Sequence, residues 1–521
     1  MMLLKYFKYY LSFLIFLSGC TLTYSQNFEV IKSDFQYNFG STSLQRIIGY
    51  DSSYYFVLKF EANRYYIEKL DKNLNFIKGE TIKLNKGLKQ YYFEDIVHFH
   101  GELYLFLTRY SLKDITLYYQ KIDKDSLLPS TDYTEIATIR NVKGNWADFH
   151  FTLSKKETKL LIVSRIKLNL TKVQFNEYYV FGNNLELLWK RKDTYDFTGQ
   201  GPRNNQYLVD ENGNVSIISL IKRESIFSIS KQIKNIYSIY RYTDNGNNFR
   251  EYPITLPDKY IRGMKIVAAD DGGLICAGLY SEILKFGVKG TFFFRIGAND
   301  GNIYDNSATG FTSDLMSKLA TNNEPVMGDD ELLDYELNDL LLREDGKVIL
   351  ITEQFFNQTF NTYNNIIVTC FNEDGQVYWN QVIQKQQSFD VNRINTQIID
   401  PVNYREYIKE TGNIVLNNPN YCSYSLMAPI NKNYIVIFYN DNIKNIDNTE
   451  KMKDLGSMKR SYIAAVTIDS YGNMKKDDLI HWKRKAMYPL PIRYYDTKYN
   501  TIVIPAFRGR KYNYYKITAD F

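Results

Sequence analysis

Histidine is scarce in this 521-residue chain, and two of its four histidines, His98 and His100 in VHFHG, stand two residues apart. On one strand that spacing puts both imidazoles on the same side, as a pair of metal ligands would be. No third ligand can be identified near them, and the pair runs into a short turn, so packed or surface histidines are the expectation. The segment GDDELLDYE (328–336) sets five carboxylates in nine positions, but without the alternating Asp/Asn spacing of a calcium loop. It reads as a solvated acidic loop. FTGQGPRNN (197–205) has two glycines but no strand–helix context, so it reads as an inter-blade loop and not a phosphate loop. No GxSxG, HExxH or P-loop pattern occurs. Cys276 and Cys370 lie in strand-like runs, where a buried thiol acts as a small hydrophobe. With Cys20 set aside, three widely spaced cysteines make neither a disulfide framework nor a CxxC metal site. No cofactor and no metal are expected.

What must position any site is a repeat. YELNDLLLREDGKVILITEQF followed by NIIVTCFNEDGQVYWNQVIQ reads as four short strands with tight turns at Glu344-Asp345-Gly346 and Glu373-Asp374-Gly375. Asp-Gly readily takes the positive φ that hairpins need. Related units start near residues 44, 91, 147, 205, 261, 335, 421 and 488, and the last offers only three strands. The aromatic content of 16%, with 46 Tyr and 32 Phe, suits strands and excludes a disordered chain. Four-stranded units at a period of roughly 45 to 60 residues predict an all-β fold, a single β-propeller. Eight blades are expected, with seven blades or two adjoining smaller propellers as the alternatives. The spare segment FEVIKSD (28–34) would complete the last blade and close the ring.

In such a ring the short first and third connections share one face, and the long second and inter-blade connections share the other. Segments 223–235, 281–288, 355–363 and 441–460 are read as second connections, and 307–334 and 385–420 as inter-blade links. Binding concentrates where long loops gather on a rigid frame. The polar residues expected at the central mouth of that face are Asp95, Asp148, Arg165, Arg262, Glu282, Asp339, Glu353, Asn440, Asp441 and Arg493. They could hold a sugar, a peptide or a cation, or they could be the polar lining that a wet channel needs.

The N-terminus carries an export signal in outline. Lys5 and Lys8 precede the apolar run Leu11–Leu17, which is too short to span a bilayer. Leu17-Ser18-Gly19-Cys20 has the form of a lipobox, and Thr23-Tyr24-Ser25 that of an ordinary cleavage site. The favoured division is a signal over 1–19 (1–25 in the alternative), an anchor and closing strand over 20–43, and a propeller over 44–521. Lipid on Cys20 would tether the protein to a bilayer as an outer-membrane or cell-surface lipoprotein. Cleavage after Ser25 would release it to the periplasm or medium. Net charge is +6, with no block of like charges to mark a nucleic-acid arm, so nucleic acid is not the expected partner.

Glu353-Gln354, the turn Asp374–Trp379, Lys385-x-Gln387 and Tyr439-Asn440-Asp441-Asn442 resemble features of a set of exported proteins common in the Bacteroidetes. The resemblance covers roughly residues 260–480 and is read on these motifs alone. It implies export, and it transfers neither an activity nor a catalytic residue. The expected function is a binding or scaffold module with an envelope protein or glycan as partner. The alternative is a glycan-active enzyme, a glycosidase or lyase, using two carboxylates at the mouth.

Overall fold

The computed structural model describes residues 27–520, apart from 38–42, 62–63, 87–88, 141–146, 168–172, 197–202, 225–232, 284–286, 321–325, 328–330, 358–359, 391–421, 430–431, 447–451, 457, 482–487, 490–493, 497–498 and 509–510. The chain folds into eight four-stranded antiparallel blades arranged as a β-propeller. Innermost strands of blades 1 to 7 are Ser43–Tyr50, Tyr92–Phe99, Ala147–Leu153, Arg203–Val209, Tyr260–Ala268, Tyr335–Leu342 and Ser425–Met427. In blade 8 that place is taken by Tyr488–Pro489 and Tyr494–Asp496, followed by Thr501–Arg508 and Lys511–Asp520. The fourth strand of blade 8 is the N-terminal segment Asn27–Lys32, paired from Asn27 opposite Asp520 to Lys32 opposite Tyr515.

Period-two alternation explains why the blades stack. In the second strand of blade 1, Tyr55–Glu61, Val57 packs with Ile502 and Ile504 of blade 8. Its neighbours Phe56 and Leu58 face the other way, onto Ile96 and Leu105 of blade 2. The same division recurs in blade 6, where Val348 and Leu350 face blade 5 and Ile349 and Ile351 face blade 7. A strand covered on both faces reads as a continuous apolar run, which is what VILIT is.

The turns have a shared chemistry. Gly346 (φ +76°) and Gly375 (φ +79°) take the positive angles expected of them. At Asp71, Asp210 and Asp469 one carboxylate oxygen accepts the N–H groups two and four residues on, which fixes the hairpin tip. Cations near the turn end of third strands reach the third-to-fourth connection of the next blade. Lys69 donates to the Lys124 carbonyl (3.1 Å), Arg241 to Gly297 (3.2 Å), Arg295 to Glu373 (3.3 Å) and Lys516 to Lys72 (3.1 Å).

The described parts of three segments expected as loops include strand or helix. In blade 6 the strands Val348–Asn357 and Phe360–Phe371 run to within two residues of each other, so 355–363 extends the ladder. Segment 307–334 begins in the fourth strand of blade 5, Ile303–Gly310, and continues as the helix Ser313–Ala320. Leu315 and Leu319 of that helix are buried one turn apart, between blades 5 and 6. Gln387–Asp390 pairs with Phe360–Tyr363 as an added strand. Among the described residues no helix is long and apolar enough to cross a membrane.

Candidate functional site

The carboxylates expected at the mouth are mostly held by cations. Asp95, at the start of blade 2, pairs with Arg46 of blade 1 and accepts the Ile96 N–H at 2.6 Å. Asp148 and Arg165 lie directly opposite each other in blade 3 and pair at 3.2 Å. Arg262 lies in the innermost strand of blade 5; burial lowers its pKa, and Glu331 is the foremost of the groups that oppose this. Glu282 is about half exposed and lies 3.6 Å from Lys259. Asp339 accepts the Tyr424 hydroxyl at 2.6 Å. Arg493 and Cys20 lie outside the described residues.

Blades 6 and 7 draw the remaining candidates into one buried network. Glu353 is 1% exposed. Its two oxygens accept from Lys385 Nζ, from the Ser423 hydroxyl (2.6 Å) and from Asn338 Nδ2 (3.2 Å). Lys385 also donates to Gln387 Oε1 (3.0 Å), which in turn accepts the Ser423 N–H (2.8 Å). Gln387 Nε2 donates to the Asn440 carbonyl at 2.8 Å, linking the added strand to blade 7. Next to it Asp441, also 1% exposed, accepts from Lys476 Nζ (2.8 Å), Asn445 Nδ2 (2.7 Å) and the Tyr462 hydroxyl (3.2 Å). Asn442 and Ser388 then both bond Asp454, through its carbonyl (2.8 Å) and its carboxylate (2.6 Å).

This network gathers the motifs at Glu353, Lys385–Gln387 and Asn440–Asn442, which lie far apart in sequence. Its chemistry is positional: Glu353 and Asp441 each meet a lysine, and the second connection of blade 7 is tied to the link leaving blade 6. Sequence reasoning singled out Glu353, Asn440 and Asp441 but missed Asn338, Ser423, Asn445 and Lys476. Polarity in strands that are otherwise apolar was the available signal for Asn338, whereas the others lie in stretches where polar residues are ordinary.

One carboxylate couple stands out. Glu336 is opposite Glu353 in the ladder, and loss of hydration, then the charges of Glu353 and Asp334, raise its pKa. Burial raises that of Asp334 as well, against the pull of Arg262. Within the acidic segment expected to be solvated, Glu331 is instead fully buried, accepting the Ser281 hydroxyl (2.6 Å) and the Glu282 N–H (2.7 Å), and residues 328–330 lie outside the described residues.

The histidines do not converge. His98 packs between blades 1 and 2 beside Gly49 and the Phe56 ring, whereas His100 sits exposed in the turn at φ +50°. Among the described residues no three His, Cys, Asp or Glu side chains are grouped to hold a metal ion. Cys276, Cys370 and Cys422 are buried thiols, and burial pushes the pKa of Cys370 up to about 12.

No protein-family model matches the chain, and no curated protein matches it in sequence. Among solved structures it is similar to a prolyl endopeptidase at 8% identity and a TM-score of 0.40, covering 90% of this chain and 55% of that one. The chain thus spans about half the length of that protein. An oligogalacturonate lyase in complex with manganese gives 7% identity and a TM-score of 0.36, over 95% of this chain and 98% of that one. An ulvan lyase of a polysaccharide lyase family gives 7% and 0.34, over 80% and 90%. Likeness of this degree says nothing of activity.

Proposed function

We propose that this protein is a cell-envelope lipoprotein whose propeller serves as a binding or scaffold module, presenting its partner surface on the long-loop face of the late blades. The observation that carries this reading is the network from Glu353 to Asp454. It uses buried ion pairs and amides to hold the loops of blades 6 and 7 in one arrangement, as a preformed recognition surface requires. Beside it the short helical turn Ile443–Asn445 leaves Ile443 38% exposed. An acyl chain on Cys20 would lie seven residues from Asn27, so that the extended linker reaches at most about 25 Å. The rim of blade 8 would then sit close to the bilayer.

Purification from envelope membranes with mass spectrometry of the mature N-terminus tests both parts. The expected result is a lipid-modified Cys20 with a stoichiometric partner that Ile443→Asp displaces. An N-terminus at Gln26 with no partner retained would remove this reading.

A second reading, glycan cleavage, rests on Glu336 opposite Glu353, because a carboxyl of raised pKa facing a second carboxyl is an arrangement that acid–base chemistry uses. Against it stands the full occupation of Glu353 by Lys385, Ser423 and Asn338. Release of reducing ends or unsaturated products from envelope polysaccharides, lost in Glu336→Gln, would favour it.

A further inference from the structure

The opposite, short-turn face carries a groove of about 480 Å³ between blades 4 and 5. Its walls are the rim of blade 4, with Thr243 and Asn247–Arg250, and Gly297, Ala298, Asn299 and Gly301 of blade 5. Arg191, Arg241 and Arg250 line it, and neither Asp nor Glu is among its lining residues.

Arg241 and Arg250 are met by backbone carbonyls, and Arg191 by a carbonyl and a carboxylate. Arg241 is 3% exposed and donates to the carbonyls of Gly297 and Gly272, while its Nε has no acceptor. Arg250 is exposed at the rim and donates to the Asp300 carbonyl. Arg191 bonds the Gly246 carbonyl (2.8 Å) and Asp193 (3.0 Å), and lies over the Phe249 ring. Asp210 and Asp271 act on Arg241 from a distance, and each also has one oxygen that accepts N–H groups of its own turn. A buried guanidinium keeps its charge, and its remaining N–H groups suit an oxyanion. The turn carbonyls explain why the arginines are ordered. They leave the buried Nε of Arg241 without an acceptor, beside the exposed Arg250, in a recess within the size range of ligand pockets.

We propose that this groove binds an oxyanion group, sulfate, carboxylate or phosphate, borne on a small molecule or on a charged chain crossing the rim of blades 4 and 5. It lies on the face away from the partner surface above and does not depend on that reading.

The test is calorimetric titration of the purified chain at low salt with sodium sulfate, sodium phosphate and a heparin hexasaccharide, with maltohexaose as the neutral control. Saturable binding of an anionic probe is expected, about tenfold or more weaker in Arg250→Gln and in Arg241→Gln. Arg250 is exposed, so its variant keeps the fold even if the Arg241 variant does not. Arg295→Gln cuts the equivalent bond between blades 5 and 6, outside the groove, and should leave affinity unchanged. Sulfate or phosphate binding alone would indicate a free anion, and binding of the hexasaccharide alone a charged polymer; either supports the site. No binding by any anion, equal binding of maltohexaose, or unchanged affinity in both groove variants would overturn it.

Discussion

At the scale of single residues, burial determines what a charged side chain can do. Lys385 and Glu353 are both removed from water, so each depends on the other for its charge. Lys385→Met would leave Glu353 buried with only Ser423 and Asn338 as donors, at an expected cost of about 3–5 kcal/mol. Adding Glu353→Gln should recover much of that loss, because a neutral amide needs no counter-charge. Denaturation midpoints of the single and double variants check this, and equal losses would break the claim of coupling. His98 supplies a pH dependence. Burial, then the nearby charge of Lys124, lowers its pKa from 6.5, while Asp51 and Glu102 oppose this. The unfolded chain therefore takes up a proton first as pH falls. The stability His98 contributes is present above pH 6.5 and is lost as pH drops below it toward the lowered value. A His98→Gln variant should show a flatter stability profile between pH 7 and 5; an unchanged slope would assign the effect to other groups.

At the scale of elements, the sequence was most legible where alternation met a turn signal. The expected unit starts of 44, 147, 261 and 335 compare with strands beginning at Ser43, Ala147, Tyr260 and Tyr335. Loops were less legible. FFNQTFNTYNN is polar enough to read as a connection, yet it lengthens a hairpin that Gln387–Asp390 then joins. The helix Ser313–Ala320 had its sign in Leu315 and Leu319 four apart, with the Thr312 hydroxyl capping the Leu315 N–H (3.3 Å). Of the site, sequence showed where polar residues start strands but not their partners, because Glu353 meets Lys385 and Ser423 from 32 and 70 residues away. The turns allow a controlled prediction. Gly472 has φ +86° and lies under the Trp379 ring, 2.9 Å from where a Cβ would stand. Gly101 has φ +75° and nothing within 4 Å. Gly101→Ala should cost only the left-handed backbone penalty, about 1–2 kcal/mol. Gly472→Ala should cost about 1–3 kcal/mol more, as the indole is pushed from its bond to the Ser470 carbonyl. Thermal unfolding of the two variants side by side checks the difference.

At the scale of the whole molecule, stability depends on the ring having no free edge. The interface of blades 7, 8 and 1 is one apolar cluster, in which Val436 and Phe438, Ile502 and Ile504, and Val57 and Leu70 meet. What holds blade 8 in register there is the strand from the far end of the chain. Phe28 and Val30 pack on this cluster, the Tyr514 carbonyl accepts the Ser33 N–H (3.0 Å), and the Tyr514 N–H donates to the Ser33 hydroxyl (2.9 Å). Tyr512 joins Gln36 and Glu68 across the same seam. A chain beginning at Phe35 would lose all six paired residues from Asn27 to Lys32 and expose the edge of Lys511–Asp520. At about 1 kcal/mol for each net hydrogen bond, the loss should reach several kcal/mol, and the bare edge should recruit a second copy. A chain beginning at Gln26 keeps the strand and should stay monomeric. The peptide NFEVIKSD, added to the shortened chain, should restore its unfolding temperature by occupying the vacant edge. Size exclusion and thermal unfolding of the two chains, with and without the peptide, decide the matter. Equal stability and a monomeric shortened chain would mean that the inter-blade faces alone close the ring.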